Sequence, residues 1–185
     1  LLALAISVYV DGVGYTVLHL VAIAGVGAYV FAVLTRYAVP APLAGVAGAA
    51  AAGVAGLLSA ELIRWLRDDG LTLATFGLGV AAFELFRYLK ITEGARIPSL
   101  LGGDSVAANA GTAILVLVTA LMIIGAWRQS VAGAVAVALR LDESGAISIG
   151  APIQSHQRLA GGLAGTVAGV AGVVLASSTH FIEPR

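Results

Sequence analysis

The sequence predicts an all-α fold, a polytopic bundle of about five membrane-spanning helices with a partial helix at the N-terminus. Two features of the composition favour it. Of 185 residues, 59% are hydrophobic and only 11% are charged, whereas about 25% are charged in an ordinary soluble domain. Ten Lys and Arg balance ten Asp and Glu. So few charged side chains cannot cover a soluble domain, and the basic surplus of a nucleic-acid-binding protein is missing.

Stretches without charged residues define the individual spans. Four stretches contain no Lys, Arg, Asp or Glu: residues 12–35, 37–60, 105–127 and 159–182. Each is long enough for a helix of about 20 residues, the length that crosses a bilayer. A fifth, starting at residue 70, is interrupted by Glu84 and Arg87 but can span if its helix continues to residue 90. Residues 1–10 are apolar but too short to cross, so we expect a fragment of a longer membrane protein.

Polar connections separate the spans. The hairpin at residues 64–70 and the long connection at 128–158 are predicted on one side of the membrane, and residues 92–104 on the other. The Lys and Arg residues divide equally between the sides, so charge does not decide the orientation. Within 128–158 we expect a helix, a break at Gly145, a second short helix and a stop at Gly150 and Pro152.

Two predicted helices carry small residues at intervals of four. One set lies in residues 37–60 and the other in 159–182: Ala44, Gly48, Ala52 and Gly56; Gly161, Gly165 and Gly169. This spacing puts each set on one helix face, where two backbones can approach closely. The faces predict either static packing of the bundle or a sliding interface in a transporter.

The residues that could carry chemistry form no enzymatic pattern. His19 lies inside a predicted span, where an imidazole is either functional or neutral and bonded to a neighbouring helix. Glu84 and Arg87 share a helix face, where they line a pathway or pair at the helix end. Cysteine is absent, the histidines lack ligand spacing, and no nucleotide-binding or nucleophile motif occurs. We therefore expect no enzyme activity, catalytic residue, metal or cofactor.

Four local patterns, in order along the chain, resemble one transporter family. Residues 25–29 (GVGAY) are similar to its G-x-G-A-Y segment, and 73–87 to the helix after its cytoplasmic hairpin. Residues 92–98 (TEGARIP) resemble its T-G-G-x-x-G-I-P loop, and 140–150 (RLDESGAISIG) its cytoplasmic coupling loop. The whole resembles the inner-membrane permease subunit of branched-chain amino-acid ABC transporters.

The resemblance implies a function and a set of partners. Residues 1–185 would be a single permease domain that translocates branched-chain amino acids, or another small polar solute such as urea or an amide. It would work with ABC ATPase subunits, a second permease subunit and an extracytoplasmic solute-binding protein, among membrane lipids and without nucleic acid. The location would be the plasma (inner) membrane of a bacterium or archaeon. An ATPase-independent secondary transporter or channel subunit, or a structural subunit, is the alternative.

The resemblance also implies roles for individual residues. Five would belong to the ATPase-coupling loop: Glu143, Gly145, Ala146, Ile147 and Gly150. Six would line the substrate pathway: His19, Gly25, Gly27, Tyr29, Thr75 and Glu84. The segment around Gly27 should also make a close helix–helix contact, because glycine lets backbones meet. For the loop, the alternative is an amphipathic helix resting on lipid headgroups.

Overall fold

The computed structural model describes residues 1–13, 19–63, 69–89, 98–100, 106–148, 150 and 152–179. Within these ranges the chain is all-α, with eight helices and no strand. The helices are α1 (Leu2–Val13), α2 (Leu20–Arg36), α3 (Ala41–Ile63), α4 (Asp69–Leu89), α5 (Val106–Arg128), α6 (Val131–Leu141), α7 (Glu143–Ser148) and α8 (Ile153–Thr179). The predicted fold class is confirmed.

The predicted spans correspond to α2, α3, α4, α5 and α8, but they differ in length. In the part of the chain that is described, three helices are long and apolar enough to cross a membrane: Ala41–Leu62, Ala107–Arg128 and Ile153–Thr179. The apolar parts of α1, α2 and α4 are shorter. α8 begins at Ile153, earlier than the uncharged stretch, because Pro152 accepts the first helical hydrogen bond, from the His156 N–H (3.1 Å). A polar first turn therefore precedes the apolar part.

α8 is the centre of the bundle and packs antiparallel to α3 through the predicted small-residue faces. A Cβ added to Gly165 would lie 2.6 Å from the Ala52 carbonyl oxygen and 2.8 Å from the Gly56 Cα. No side chain fits in that space, so the two backbones are in direct contact. Lipid tails are as apolar as the helix side chains, so the hydrophobic effect does not bring the helices together. Close van der Waals packing therefore holds α3 and α8 together.

α2 completes a rigid three-helix core, and the close contact predicted at Gly27 is present. A Cβ on Gly27 would lie 2.7 Å from both the Cα and the carbonyl oxygen of Gly169 on α8. A Cβ on Gly48 of α3 would lie 2.6 Å from the Gly27 carbonyl oxygen. The three helices therefore meet around Gly27. Gly25 faces the other way, toward Phe86 of α4.

Two interhelical ion pairs lie at one end of the bundle, here called the α7 end. Arg128 at the end of α5 pairs with Asp11 near the end of α1. Arg158 in the first turns of α8 pairs with Glu61 near the end of α3, Nε to Oε2, at 2.6 Å. α6 and α7 connect α5 to α8 at this same end. The helix ends that flank 64–70 and 128–158 thus lie at the same end of the bundle.

The connection between α5 and α8 differs from the prediction in one respect. The break between its helices falls at Asp142 (φ −156°, ψ 100°), and Gly145 lies inside α7. The cause is a side-chain cap, because the Asp142 carboxylate accepts a hydrogen bond from the Gly145 N–H at 2.9 Å. An Asp at this position satisfies a backbone donor at the helix start. The predicted stop at Gly150 agrees with its positive φ of 81°.

α4 and α5 stand at the outside of the bundle. α4 exposes Leu73 and Phe76, and α5 exposes Ile114 and Met122. In a membrane protein such surfaces face lipid or another membrane subunit. The structure is thus a rigid core of α2, α3 and α8, to which α4 and α5 are attached less extensively.

Replacing Gly27 by Leu should disrupt the core. The Gly169 backbone cannot move aside, so we expect a loss of about 3 kcal/mol or more in the free energy of unfolding, at the upper end for overpacking. The loss of stability is measured by heating the detergent-purified protein and following its unfolding by size-exclusion chromatography. Gly111→Leu in α5 is the control, because no atom of the described residues lies within 4 Å of its would-be Cβ. Equal stability of the two variants would contradict the contact.

Candidate functional site

A cavity of about 560 Å³ lies between α2, α4 and α8. Its size is typical of a pocket for a small molecule, about 300–1,000 Å³. α4 contributes the rings of Phe76, Phe83 and Phe86, whereas α2 and α8 contribute mainly small residues. Tyr29 and Thr179 are the polar side chains among the residues that line it. The cavity therefore suits an apolar group.

Tyr29 ties α2 to α4 at the cavity wall. Its hydroxyl donates a hydrogen bond to the Phe86 carbonyl oxygen at 3.3 Å. Its ring stacks on the Phe86 ring, with 4.5 Å between centroids and 14° between planes. Gly25, one turn earlier on α2, leaves the room that the Phe86 ring occupies, since a Cβ there would lie 2.8 Å from a ring carbon. The predicted pathway residues Gly25 and Tyr29 thus lie together on the wall.

His19 is placed differently, inside the bundle. It is 1% exposed, and its Nε2 lies 2.9 Å from the Ser59 Oγ on α3. The Ser59 hydroxyl also bonds the Gly56 carbonyl oxygen at 2.9 Å, and when it donates its proton there, the His19 Nε2–H is the donor to Ser59. This geometry agrees with the interpretation of His19 as an imidazole bonded to a neighbouring helix. The edge of the Tyr9 ring packs against it, with centroids 5.8 Å apart.

The remaining predicted pathway residues are not brought together. Gly27 faces α8 and α3. Thr75 of α4 is completely buried, and Glu84 is exposed. None of the three is among the residues that line the cavity. The side chain of Arg87, the predicted partner of Glu84, lies outside the described part of the chain.

The predicted coupling residues fall on and beside α7. Ala146 is 3% exposed, so it packs inward, whereas Ser144 and Ser148 form an exposed side. Gly145 lies close to its cap, since a Cβ there would lie 2.5 Å from an Asp142 carboxylate oxygen. Gly150 follows the helix with its positive φ. For Glu143 and Ile147 only the backbone is described.

Several residues of the site were not singled out from the sequence. Ser59 was one polar residue in an apolar span, which was a usable signal. Phe86 and Asp11 carried no local signal, because their roles come from contacts with α2 and α5. In the described ranges no three His, Cys, Asp or Glu side chains are grouped so that they could hold a metal ion.

Comparison with known proteins gives one match. The profile of a family described as a branched-chain amino acid transport system permease component matches residues 1–185. Neither the curated proteins nor the solved structures contain a match. The match covers the whole chain and agrees with the resemblance found in the sequence and with the apolar helices of the fold. The chain therefore belongs to the family of branched-chain amino-acid transport permease components.

Proposed function

We propose that this chain is the membrane-spanning permease subunit of an ABC importer, and that a partner subunit hydrolyses the ATP. The solute is a branched-chain amino acid or a related small polar solute. The observation that carries the proposal is the attachment of α7. This short helix connects the outer helices α5 and α6 to α8, the centre of the rigid core. A force on α7 therefore acts on both the core and its outer helices.

The ends of α7 make it a distinct docking element. The Asp142 cap fixes its beginning, and Gly150, with positive φ, lets the chain turn into α8. The burial of Ala146 anchors α7 on the chain itself, so Ala146 and Gly145 position the helix. The exposed side with Ser144 and Ser148 is the surface for the ATPase. Glu143, Ile147 and Gly150 complete the coupling segment.

The cavity between α2, α4 and α8 supports a pathway for the aliphatic part of the solute. An apolar side chain is favoured in an apolar lining. A zwitterion also carries an ammonium and a carboxylate, which need polar partners in a membrane. The Tyr29 hydroxyl is already bonded to Phe86. We therefore assign the polar contacts to the second permease subunit, which would approach the exposed faces of α4 and α5.

The direction of transport follows from the same arrangement. With the ATPase at the α7 end, that end lies in the cytoplasm of a bacterium or archaeon. The opposite end, near Thr179, would then receive solute from an extracytoplasmic binding protein. His19, Gly27, Thr75 and Glu84 lie away from the cavity lining, so we propose Gly25 and Tyr29 as the pathway residues that contact solute.

An energy-source experiment tests the function. Right-side-out vesicles that contain the complete transporter are loaded with ATP, or depleted of ATP and given an imposed ion gradient. Uptake of labelled leucine should require internal ATP and be blocked by orthovanadate. Uptake that follows the ion gradient without ATP would favour the secondary transporter.

Replacing Ser148 by Arg should separate ATP hydrolysis from uptake. A bulky charge on the exposed side of α7 would disturb the ATPase contact, and we expect about tenfold lower uptake per ATP hydrolysed, equivalent to about 1.4 kcal/mol. Ser148→Ala is the matched control, because it removes the same hydroxyl bond to the Gly145 carbonyl oxygen without adding bulk or charge. It should keep normal coupling. Unchanged coupling in Ser148→Arg would contradict the docking surface.

Two glycines of α4 provide a test of the cavity. Gly79 lines it, and within the described ranges a Cβ there would meet only the His19 Cα, at 3.8 Å. Gly79→Leu should therefore fold but fill the cavity, lowering leucine uptake about tenfold. Gly77 does not line the cavity, and in the part of the chain that is described nothing lies within 4 Å of its would-be Cβ, so Gly77→Leu should transport normally. Equal uptake by both variants would exclude the cavity from the pathway.

A further inference from the structure

α5 is fastened to the rest of the bundle near its C-terminal end. Its buried residues in the described part, Ala120 and Ile124, both lie in the second half of the helix. At its last residue, the Arg128 guanidinium pairs with the Asp11 carboxylate of α1 and donates to the Ser7 hydroxyl at 3.1 Å. Residues 107–116, in the first half of α5, are exposed or partly exposed. A movement of α5 therefore has to release the contacts at Arg128.

Beside this ion pair, two stacked rings each contain a buried nitrogen atom that has no hydrogen-bond partner among the described residues. Trp127 stacks on His156 of α8, with centroids 6.1 Å apart and planes at 20°. In the described part of the chain, neither the Trp127 Nε1 nor the His156 Nε2 has a hydrogen-bond partner, although both atoms are buried. Buried polar atoms without partners cost free energy. Separation of the two rings would expose these atoms to water and recover that cost.

A rigid joint connects this end of α5 to the proposed docking helix. Ser130 caps α6, and its hydroxyl accepts from the Gly133 N–H. A Cβ on Gly133 would lie 2.6 Å from the Arg128 carbonyl carbon, so the turn is too tight for a side chain. α6 then leads through Asp142 to α7. A displacement of α7 would thus reach Arg128.

The second ion pair at the α7 end joins two helices whose backbones are in direct contact. Glu61 and Arg158 lie directly beyond the backbone contact of α3 with α8. A Cβ on Gly161 would lie 2.6 Å from the Ala60 Cβ and 2.8 Å from the Gly56 carbonyl oxygen. This interface cannot open without separating two closely packed backbones. The Glu61–Arg158 pair therefore belongs to the rigid core.

We propose that the Asp11–Arg128 ion pair is a latch that holds α5 on α1 at the α7 end and opens during each transport cycle. This inference rests on the proposed function, because α7 supplies the displacement. The latch is suited to reversible opening. The Arg128 and Asp11 side chains are 52% and 23% exposed, so water can solvate the separated charges, and such pairs are weak.

Cross-linking tests the latch directly, because the chain has no native cysteine. The complete transporter is prepared with Asp11→Cys and Arg128→Cys, and both sites are bridged by a short, reducible bifunctional thiol reagent. ATP-driven leucine uptake should fall to background and return after reduction. The matched control, Glu61→Cys with Arg158→Cys, joins helices of the rigid core and should keep its uptake when bridged.

Each outcome decides for or against the latch. Full uptake after complete bridging of positions 11 and 128 would overturn it, and so would equal inhibition by both bridges. The comparison is between bridged and reduced samples of one protein, so it stays informative if the variant is partly impaired. A failure of the proposed function would look different, because the reduced sample would then transport without ATP.

Removing the charge of Asp11 provides a second test of the latch, with ATP hydrolysis as the measurement. Asp11→Asn should raise ATP hydrolysis in the absence of solute about two- to fivefold, the size expected for loss of a partly exposed ion pair. The exchanged pair, Asp11→Arg with Arg128→Asp, should restore the low rate. A purely structural pair would lower assembly and hydrolysis together in Asp11→Asn, and that result would overturn the latch.

Discussion

The structure depends on the direct contact of the α8 backbone with those of α2 and α3. At Gly27, Gly56, Gly165 and Gly169, a Cβ would fall within van der Waals radii of the facing helix. In a bilayer, apolar side chains gain little by leaving lipid for protein, so helices adhere through close packing over many atoms. Because glycine has no side chain, the backbones can approach each other closely enough to make that contact. The positions of the other helices follow from this core.

A rigid core with loosely attached outer helices divides the work of a transporter between two regions. The cavity lies where α4 leaves the core, and the Tyr29–Phe86 contact joins the two there. The other region lies at the C-terminal end of α5, where an ion pair joins α5 to α1 and a ring stack joins α5 to α8. Tightly packed interfaces resist gradual deformation, so the proposed transport cycle would place its movements at the joints between the core and the outer helices.

The sequence predicted the parts of this structure that are repetitive along the chain. Small residues four apart predicted a close-packing face on α3 and another on α8, and long uncharged stretches predicted the helices; that the two faces pack against each other was not predicted. The prediction from sequence failed where a single side-chain contact overrides the helix-breaking tendency of a residue. Gly145 looked like a helix break, but the Asp142 carboxylate caps the Gly145 N–H and moves the break three residues earlier. The burial of His19 beside Ser59 and the exposure of Glu84 could not be predicted from the sequence, because both depend on how the helices pack.

The placement of polar groups follows from the cost of charge in a membrane. His19 and Ser59 lie inside the bundle, where a hydrogen bond joins them, because an unpaired polar group in a bilayer costs free energy. The ion pairs of Arg128 and Arg158 lie at helix ends, where water reaches half of each Arg side chain. A contact that water can replace is cheap to break, whereas a buried one is not. Hence a permease of this construction can use charge for reversible contacts at its ends, and within the bilayer it relies on shape.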